Sequence, residues 1–178
     1  MANTFNMVIA GFGGQGVLFT GKVVAYAGLI DGKEVSWLPS YGPEMRGGTA
    51  NCSVCISDEP IGSPLVTQPD VLVAMNGPSF DKFIDSVAPG GKVIVDASLV
   101  PNETTRTDIE VFRVPASQLS QDEHLEGIAN IILLGKVIGE TGIASMETVE
   151  KALEKCVPPK KAHLLEHNIR AIKLGMSK

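Results

Sequence analysis

Val8-Ile9-Ala10-Gly11-Phe12-Gly13-Gly14-Gln15-Gly16-Val17-Leu18 decides the fold. An apolar run, Phe5 to Ala10, ends in glycines and gives way to helical spacing. That succession predicts strand, tight turn and helix. Gly11, Gly13 and Gly16 fit G-x-G-x-x-G. In that pattern the first glycine permits the turn, the second leaves room for a ligand, and the third lets helix and strand pack closely. The helix is expected from about Gln15 to Leu29, with Gly21, Ala25 and Gly28 as a small-residue stripe suited to close contact with a sheet. Unpaired N–H groups at its start favour an anion. Gly11, Gly13, Gly14, Gln15 and Gly16 are therefore a candidate ligand- or anion-binding turn, with a turn needed only for packing as the alternative.

A conventional NAD site also needs an acidic residue at the end of the second strand, about 20 residues on. That strand is expected at Lys33 to Leu38 and runs into Leu38-Pro39-Ser40, whereas Asp31 and Glu34 lie at or before its start. The glycines alone do not make a dinucleotide site.

The 178 residues give a net charge of -5, and no Lys/Arg cluster precedes the C-terminal third, which argues against nucleic acid. Aromatics are only 5%, so the core rests on Val, Ile, Leu, Ala and Gly, as in parallel-sheet α/β proteins. Met1-Ala2-Asn3-Thr4 has no leader character, and no apolar stretch reaches about 18 residues, so a cytoplasmic chain without a membrane span is expected. Three cysteines, an odd number, agree with a reducing compartment. Cys52 and Cys55 form a C-x-x-C within a strand-like run, where side chains three apart point to opposite faces and do not share a metal.

Pro39-Ser40-Tyr41-Gly42-Pro43-Glu44-Met45-Arg46-Gly47-Gly48 excludes a regular element yet carries contact-rich side chains. Loops at the ends of parallel strands are where such folds bind ligands. A crossover loop with a solvated Glu44–Arg46 pair is the plainer alternative. Further strands are expected at Thr49–Ser57, Asp70–Met75, Lys92–Asp96 and Ile109–Val114, the last near an edge. A short helix should open at Pro78 or Ser79 and reach about Val87, and Asp96 should cap the turn that follows it. Helices are expected at Leu125–Ile138, at Met146–Cys156 with Ser145 as N-cap, and at Lys160 to about Leu174 with Gly175 past its end. Strands and helices alternate to about residue 115 and helices dominate thereafter. The pattern is a three-layer α/β/α sandwich on a mostly parallel, Rossmann-like sheet, with a helical C-terminal portion at about 120–178 of a single domain, 1–178.

No nucleophile elbow, P-loop lysine or paired-carboxylate site stands out, and no catalytic residue is assigned. His163 and His167 stand four apart on the last helix, but no third metal ligand accompanies them.

As a set, Gly11–Val17, Pro39 to Ala50 and Pro69-Asp70-Val71-Leu72-Val73-Ala74-Met75 resemble the gamma subunit of 2-oxoacid:ferredoxin oxidoreductases. The Ser40-Tyr41-Gly42-Pro43-Glu44-Met45-Arg46-Gly47-Gly48 run carries most of that specificity, and the length fits a free-standing gamma subunit. The resemblance implies a subunit that is inactive alone, within an enzyme that oxidatively decarboxylates a 2-oxoacid to acyl-CoA and passes electrons to ferredoxin. Thiamine diphosphate, Mg and iron–sulfur clusters would lie in alpha, beta and delta partner subunits, with coenzyme A as co-substrate. The Ser40–Gly48 loop would then face the catalytic subunits near the thiamine site, with Arg46 contacting a carboxylate or phosphate and Tyr41 and Met45 at the buried centre of the interface. Among 2-oxoglutarate, branched-chain 2-oxoacids and pyruvate, the motif leans to 2-oxoglutarate. The competing expectation is a stand-alone nucleotide-binding protein, such as an NAD-dependent enzyme or redox sensor.

Overall fold

The computed structural model describes residues 3–40 and 49–178. Six strands form one sheet: β1 Thr4–Phe12, β2 Glu34–Ser40, β3 Thr49–Ser57, β4 Val71–Ala74, β5 Lys92–Asp96 and β6 Glu110–Val114, in the order β2-β3-β1-β4-β5-β6. β4, β5 and β6 pair in parallel outward from β1, and β6 closes that edge as expected. β3 pairs antiparallel with both β1 and β2, which makes it the reversed strand of a mostly parallel sheet. The connection from Ser40 to Thr49 therefore joins two adjacent antiparallel strands and is not a crossover.

The strand interiors explain the order. Every residue of β4 is buried, and Met7 to Ala10 of β1 are buried too, as continuous apolar runs must be when both faces are covered. The halves of β3 divide: Cys52, Val54 and Ile56 join the larger core, while Ser53, Cys55 and Ser57 lie on the other face. The C-x-x-C cysteines thus point apart, as the spacing requires.

The layers are unequal. Helices α1 (Val17–Ile30) and α4 (Ala129–Thr141) lie on one face; α5 (Met146–Cys156) packs on α1, and α6 (Leu165–Met176) packs on α4. The other face carries α2 (Gly77–Phe83), whose Phe80 packs with Val8, Leu72, Val93 and Val95. The remaining helix, α3 (Ala116–Asp122), leads into α4. The expected small-residue stripe on α1 does meet the sheet: a Cβ on Gly21 would come within 2.5 Å of Cys52 Sγ, and one on Gly28 within 2.8 Å of Val35 Cγ2.

Several boundaries differ from the sequence expectation: β2 runs on to Ser40, and α6 begins at Leu165, because Pro159–Leu164 forms a 3-10 turn. The N-cap of α2 is Asn76, whose Oδ1 accepts from Ser79 N at 2.8 Å, two residues before the predicted opening. The polar run after Pro115 forms α3, because Asp96 accepts hydrogen bonds from its first turn. α4 begins at Ala129, since Gly127 sits at φ +80°, outside helical space. Gly175 lies inside α6 rather than past it: a Cβ there would stand 1.9 Å from the Ile132 carbonyl oxygen, so the glycine is what lets α4 and α6 touch. α5 matches its prediction, with Ser145 Oγ accepting from Thr148 N at 3.1 Å. No helix among the described residues is long and apolar enough to cross a membrane.

Candidate functional site

The chain leaves β1 toward β2 on one side and later returns to β4 on the other, so the sheet order reverses between these two strands. Open α/β sheets bind ligands in the crevice outside the carboxyl ends of the strands at such a point. The glycine turn lies there, between β1 and α1.

Its five candidate residues have distinct tasks. Gly11 is still in β1 and makes no turn; a Cβ on it would meet Gln15 Oε1 at 2.6 Å, because the Gln15 side chain folds back over it. Gly13 and Gly14 form the exposed tip, and Gly14, at φ +93°, supplies the left-handed backbone assigned by the pattern to the first glycine. Gln15 closes the turn: Oε1 accepts from Phe12 N at 2.6 Å, and Nε2 donates to Met75 O at 3.0 Å across the switch point. Gly16, at φ +78°, is the N-cap of α1 and offers no side-chain cap, which leaves the helix start open to an anion. Its missing Cβ makes room for a helix amide and not for the sheet, since that Cβ would lie 2.4 Å from Asn130 Nδ2. Asn130, in α4, donates to Gly16 O at 3.2 Å and to Thr20 Oγ1 at 3.0 Å.

Two crevices flank the turn. One of about 460 Å³ lies among Phe12, Gln15, Asn76, Pro78, Leu99 and Asn102. Asn76 in its lining has a buried Nδ2 without a partner among the described residues, and the Oγ of Ser79, within α2, has none either. The far wall of this crevice is braced by the Arg113 guanidinium, which donates to the carbonyls of Val100 and Asn102. The other crevice, about 120 Å³, runs from Gly14 and Gln15 to Asp96, Ser117 and Asn130. Asp96 is 2% exposed and saturated, accepting from Ser98 N at 3.0 Å, Ser117 N at 3.2 Å and Ser117 Oγ at 2.5 Å. It caps, as expected, but it ties two segments and not one.

The second predicted site begins at Ser40, the exposed last residue of β2, paired with Asn51. Tyr41, Gly42, Pro43, Glu44, Met45, Arg46, Gly47 and Gly48 lie outside the described residues. The strand register does place the flanks of that segment: Thr49 pairs with Phe12, one residue from the glycine tip. Both predicted sites therefore start from the same end of the sheet.

This arrangement binds more readily than it reacts. The crevices offer backbone N–H groups, amides and apolar walls, with Asp81 and Asp96 as their carboxylates; Asp81 accepts from Asn102 Nδ2 at 2.9 Å. Among the described residues no group of three or more His, Cys, Asp or Glu is placed to hold a metal. Burial pushes the Cys52 thiol up to about 12 and the Cys156 thiol to about 11, and also raises Cys55. None is a ready thiolate nucleophile. Sequence reasoning missed Asn76 and Asn130. Their signal was a polar residue where an apolar run should continue: Asn130 interrupts Ile128 to Leu134, and Asn76 follows a fully buried strand.

Residues 6–178 match the family model described as Pyruvate ferredoxin/flavodoxin oxidoreductase. The chain is 40% identical over 153 residues to the 2-oxoglutarate synthase subunit KorC of Methanocaldococcus jannaschii, covering 84% of this chain and 82% of that one. It is also 40% identical over 169 residues to the ketoisovalerate oxidoreductase subunit VorA of Methanothermobacter thermautotrophicus, covering 94% of this chain but only 35% of that longer protein. Among solved structures, the gamma subunit of a keto/oxoacid ferredoxin oxidoreductase from Geobacter sulfurreducens superposes with a TM-score of 0.87 at 32% identity, over 99% of this chain and 96% of that one. A 2-oxoglutarate:ferredoxin oxidoreductase chain from Magnetococcus marinus, solved with 2-oxoglutarate, coenzyme A and succinyl-CoA, gives 0.86 at 25% identity, over 98% of this chain and 30% of that one.

Proposed function

The chain belongs to the pyruvate ferredoxin/flavodoxin oxidoreductase family, and from that premise we propose that it is the gamma subunit of a multi-subunit 2-oxoacid:ferredoxin oxidoreductase. The observation that carries this reading is the end-to-end correspondence with a gamma subunit, over 99% of this chain and 96% of that one. The complex decarboxylates a 2-oxoacid oxidatively, forms acyl-CoA and reduces ferredoxin. Thiamine diphosphate, Mg and iron–sulfur clusters sit in alpha, beta and delta subunits; this chain's three cysteines are fewer than the four a cluster takes.

Within that complex, the chain is inactive alone, works in the cytoplasm and turns its glycine-turn end toward the catalytic subunits. The segment from Ser40 to Gly48 reaches the neighbourhood of the thiamine site, and Arg46 makes the charged contact. The switch-point turn takes an anionic group of a ligand or partner at the uncapped start of α1. The substrate is 2-oxoglutarate. The match to KorC spans most of both chains, whereas VorA extends far beyond the matched region. A stand-alone NAD enzyme loses support, because β2 ends in Leu38-Pro39-Ser40 without an acid for a ribose.

The test is an anaerobic tagged pull-down of the chain from its native cell, followed by a 2-oxoacid-, CoA- and thiamine-dependent dye-reduction assay. Partner subunits should co-purify, 2-oxoglutarate should outpace pyruvate and ketoisovalerate, and Arg46→Ala should slow turnover without loss of assembly. A chain recovered alone and inert toward every 2-oxoacid overturns the reading.

A further inference from the structure

A third cavity, about 510 Å³, opens on the other side of the glycine turn, between the start of α1, the start of α4 and the stretch joining α5 to α6. It shares Gly14 and Gly16 with the glycine turn, but its walls come from the helices on the far side of it. Its volume falls in the range of small-molecule sites, which are mostly apolar with a few fixed polar groups. Phe19, Ile128, Val157 and Leu164 supply the apolar wall. Two of the groups lining it are buried amides, Asn130 at 6% and Asn168 at 4% exposure. Asn130 Nδ2 is committed to Gly16 O and Thr20 Oγ1, and Asn168 Nδ2 to Leu164 O at 2.7 Å. Each amide is thus left with its carbonyl oxygen, an acceptor that wants an N–H or O–H donor.

The cavity also has a charge preference. Lys22 and Lys161 line it, and neither forms an ion pair with a carboxylate among the described residues. Lys22 Nζ is 5.8 Å from the Tyr26 ring centre, and its charge acts on the Cys156 thiol, which lines the same cavity. Glu126 stands at the margin as the opposing charge, so one net positive charge remains.

We propose that this cavity binds a small organic monoanion with an apolar ring and an N–H or O–H donor. The ring would lie against Phe19, Ile128 and Val157, the donor would reach the Asn130 or Asn168 carbonyl, and the anion would meet Lys22 and Lys161. The proposal deepens the reading of the glycine turn as an anion site, and because every group it uses lies in this chain, binding to the chain alone tests it separately from assembly and turnover.

The probe is 8-anilinonaphthalene-1-sulfonate, which combines an aromatic body, an amine N–H and a sulfonate. It is titrated into the isotope-labelled full chain and followed by amide chemical shifts. The side-chain amide signals of Asn130 and Asn168 should shift and saturate together. Lys22→Met with Lys161→Met should weaken binding about tenfold, the loss expected for charge-assisted contacts. Val157→Trp, which fills the wall, should abolish the shifts while leaving the rest of the spectrum folded. Shifts confined to other residues, or an affinity unchanged in the double lysine variant, overturn the proposal.

Discussion

Gln15 Nε2 donates to the carbonyl oxygen of Met75 at 3.0 Å, so one side chain ties together the carboxyl ends of two parallel strands at the point where the sheet order reverses. The same side chain accepts from Phe12 N, which makes it a clamp on the glycine turn as well. Gln15→Ala should cost about 1–2 kcal/mol in urea unfolding, the usual loss when a buried acceptor is stranded. Gln15→Glu keeps the acceptor for Phe12 but turns an anionic oxygen on the Met75 carbonyl. It should be at least as unstable as the alanine variant at neutral pH, and equal stability of Gln15→Glu and wild type would refute the clamp.

Gly16→Ala combines a left-handed backbone with a Cβ aimed at the Asn130 amide. The backbone term and the displaced hydrogen bonds together predict a loss of about 2–3 kcal/mol. In a double-mutant cycle with Asn130→Ala the two losses should be less than additive, because the collision disappears with the amide. Full additivity would mean that only the backbone angle matters.

Gly175→Ala gives a prediction whose sign is diagnostic. On helix propensity alone the substitution stabilises by about 1 kcal/mol. Here the new methyl would meet the Ile132 carbonyl at 1.9 Å and force α4 and α6 apart. Thermal unfolding should therefore show a net loss of about 3 kcal/mol, as overpacking of backbone on backbone does. A stabilised variant would show that the two helices do not cross as closely as described.

The thiols set a limit at high pH. Cys52 is raised by burial from 9.0 to about 12, and Cys156 from 9.0 to about 11. Unfolding releases both into a state that ionises near 9, so their contribution is fully present below that pH and is lost as pH rises through the folded values. The melting temperature should fall between about pH 9 and 12, and should fall less in Cys52→Ala with Cys156→Ala. Thiol labelling at pH 8 should be slow in the native chain and fast in urea. Identical pH profiles for wild type and double variant would remove the thiols from the account.

Much of the frame was legible in the sequence because its signals are local. Phe5 to Ala10 followed by glycines could only be strand and turn, and Ser145 before Met146 to Cys156 carries its own cap. What escaped depended on contacts across the chain. β3 runs backward because it returns beside β1, which no residue within Thr49–Ser57 announces. Gly175 looked like a helix terminator, but its partner is Ile132, far away in sequence. The candidate turn was found, but its glycines were assigned the wrong tasks. Gln15 is legible as a member of the candidate turn, but it is not legible that its side chain decides why Gly11 must be small. Asn76 and Asn130 stood out only as polar residues beside apolar runs, because the atoms they bond are met after folding.

The reversed strand has an evolutionary consequence. Ser40 is held opposite Asn51, and Thr49 opposite Phe12, and β3 is paired along both of its edges. Any inherited change that shifts β3 by one residue re-registers two ladders at once and turns its buried side chains to the opposite face, so the strand itself is held under the tightest constraint.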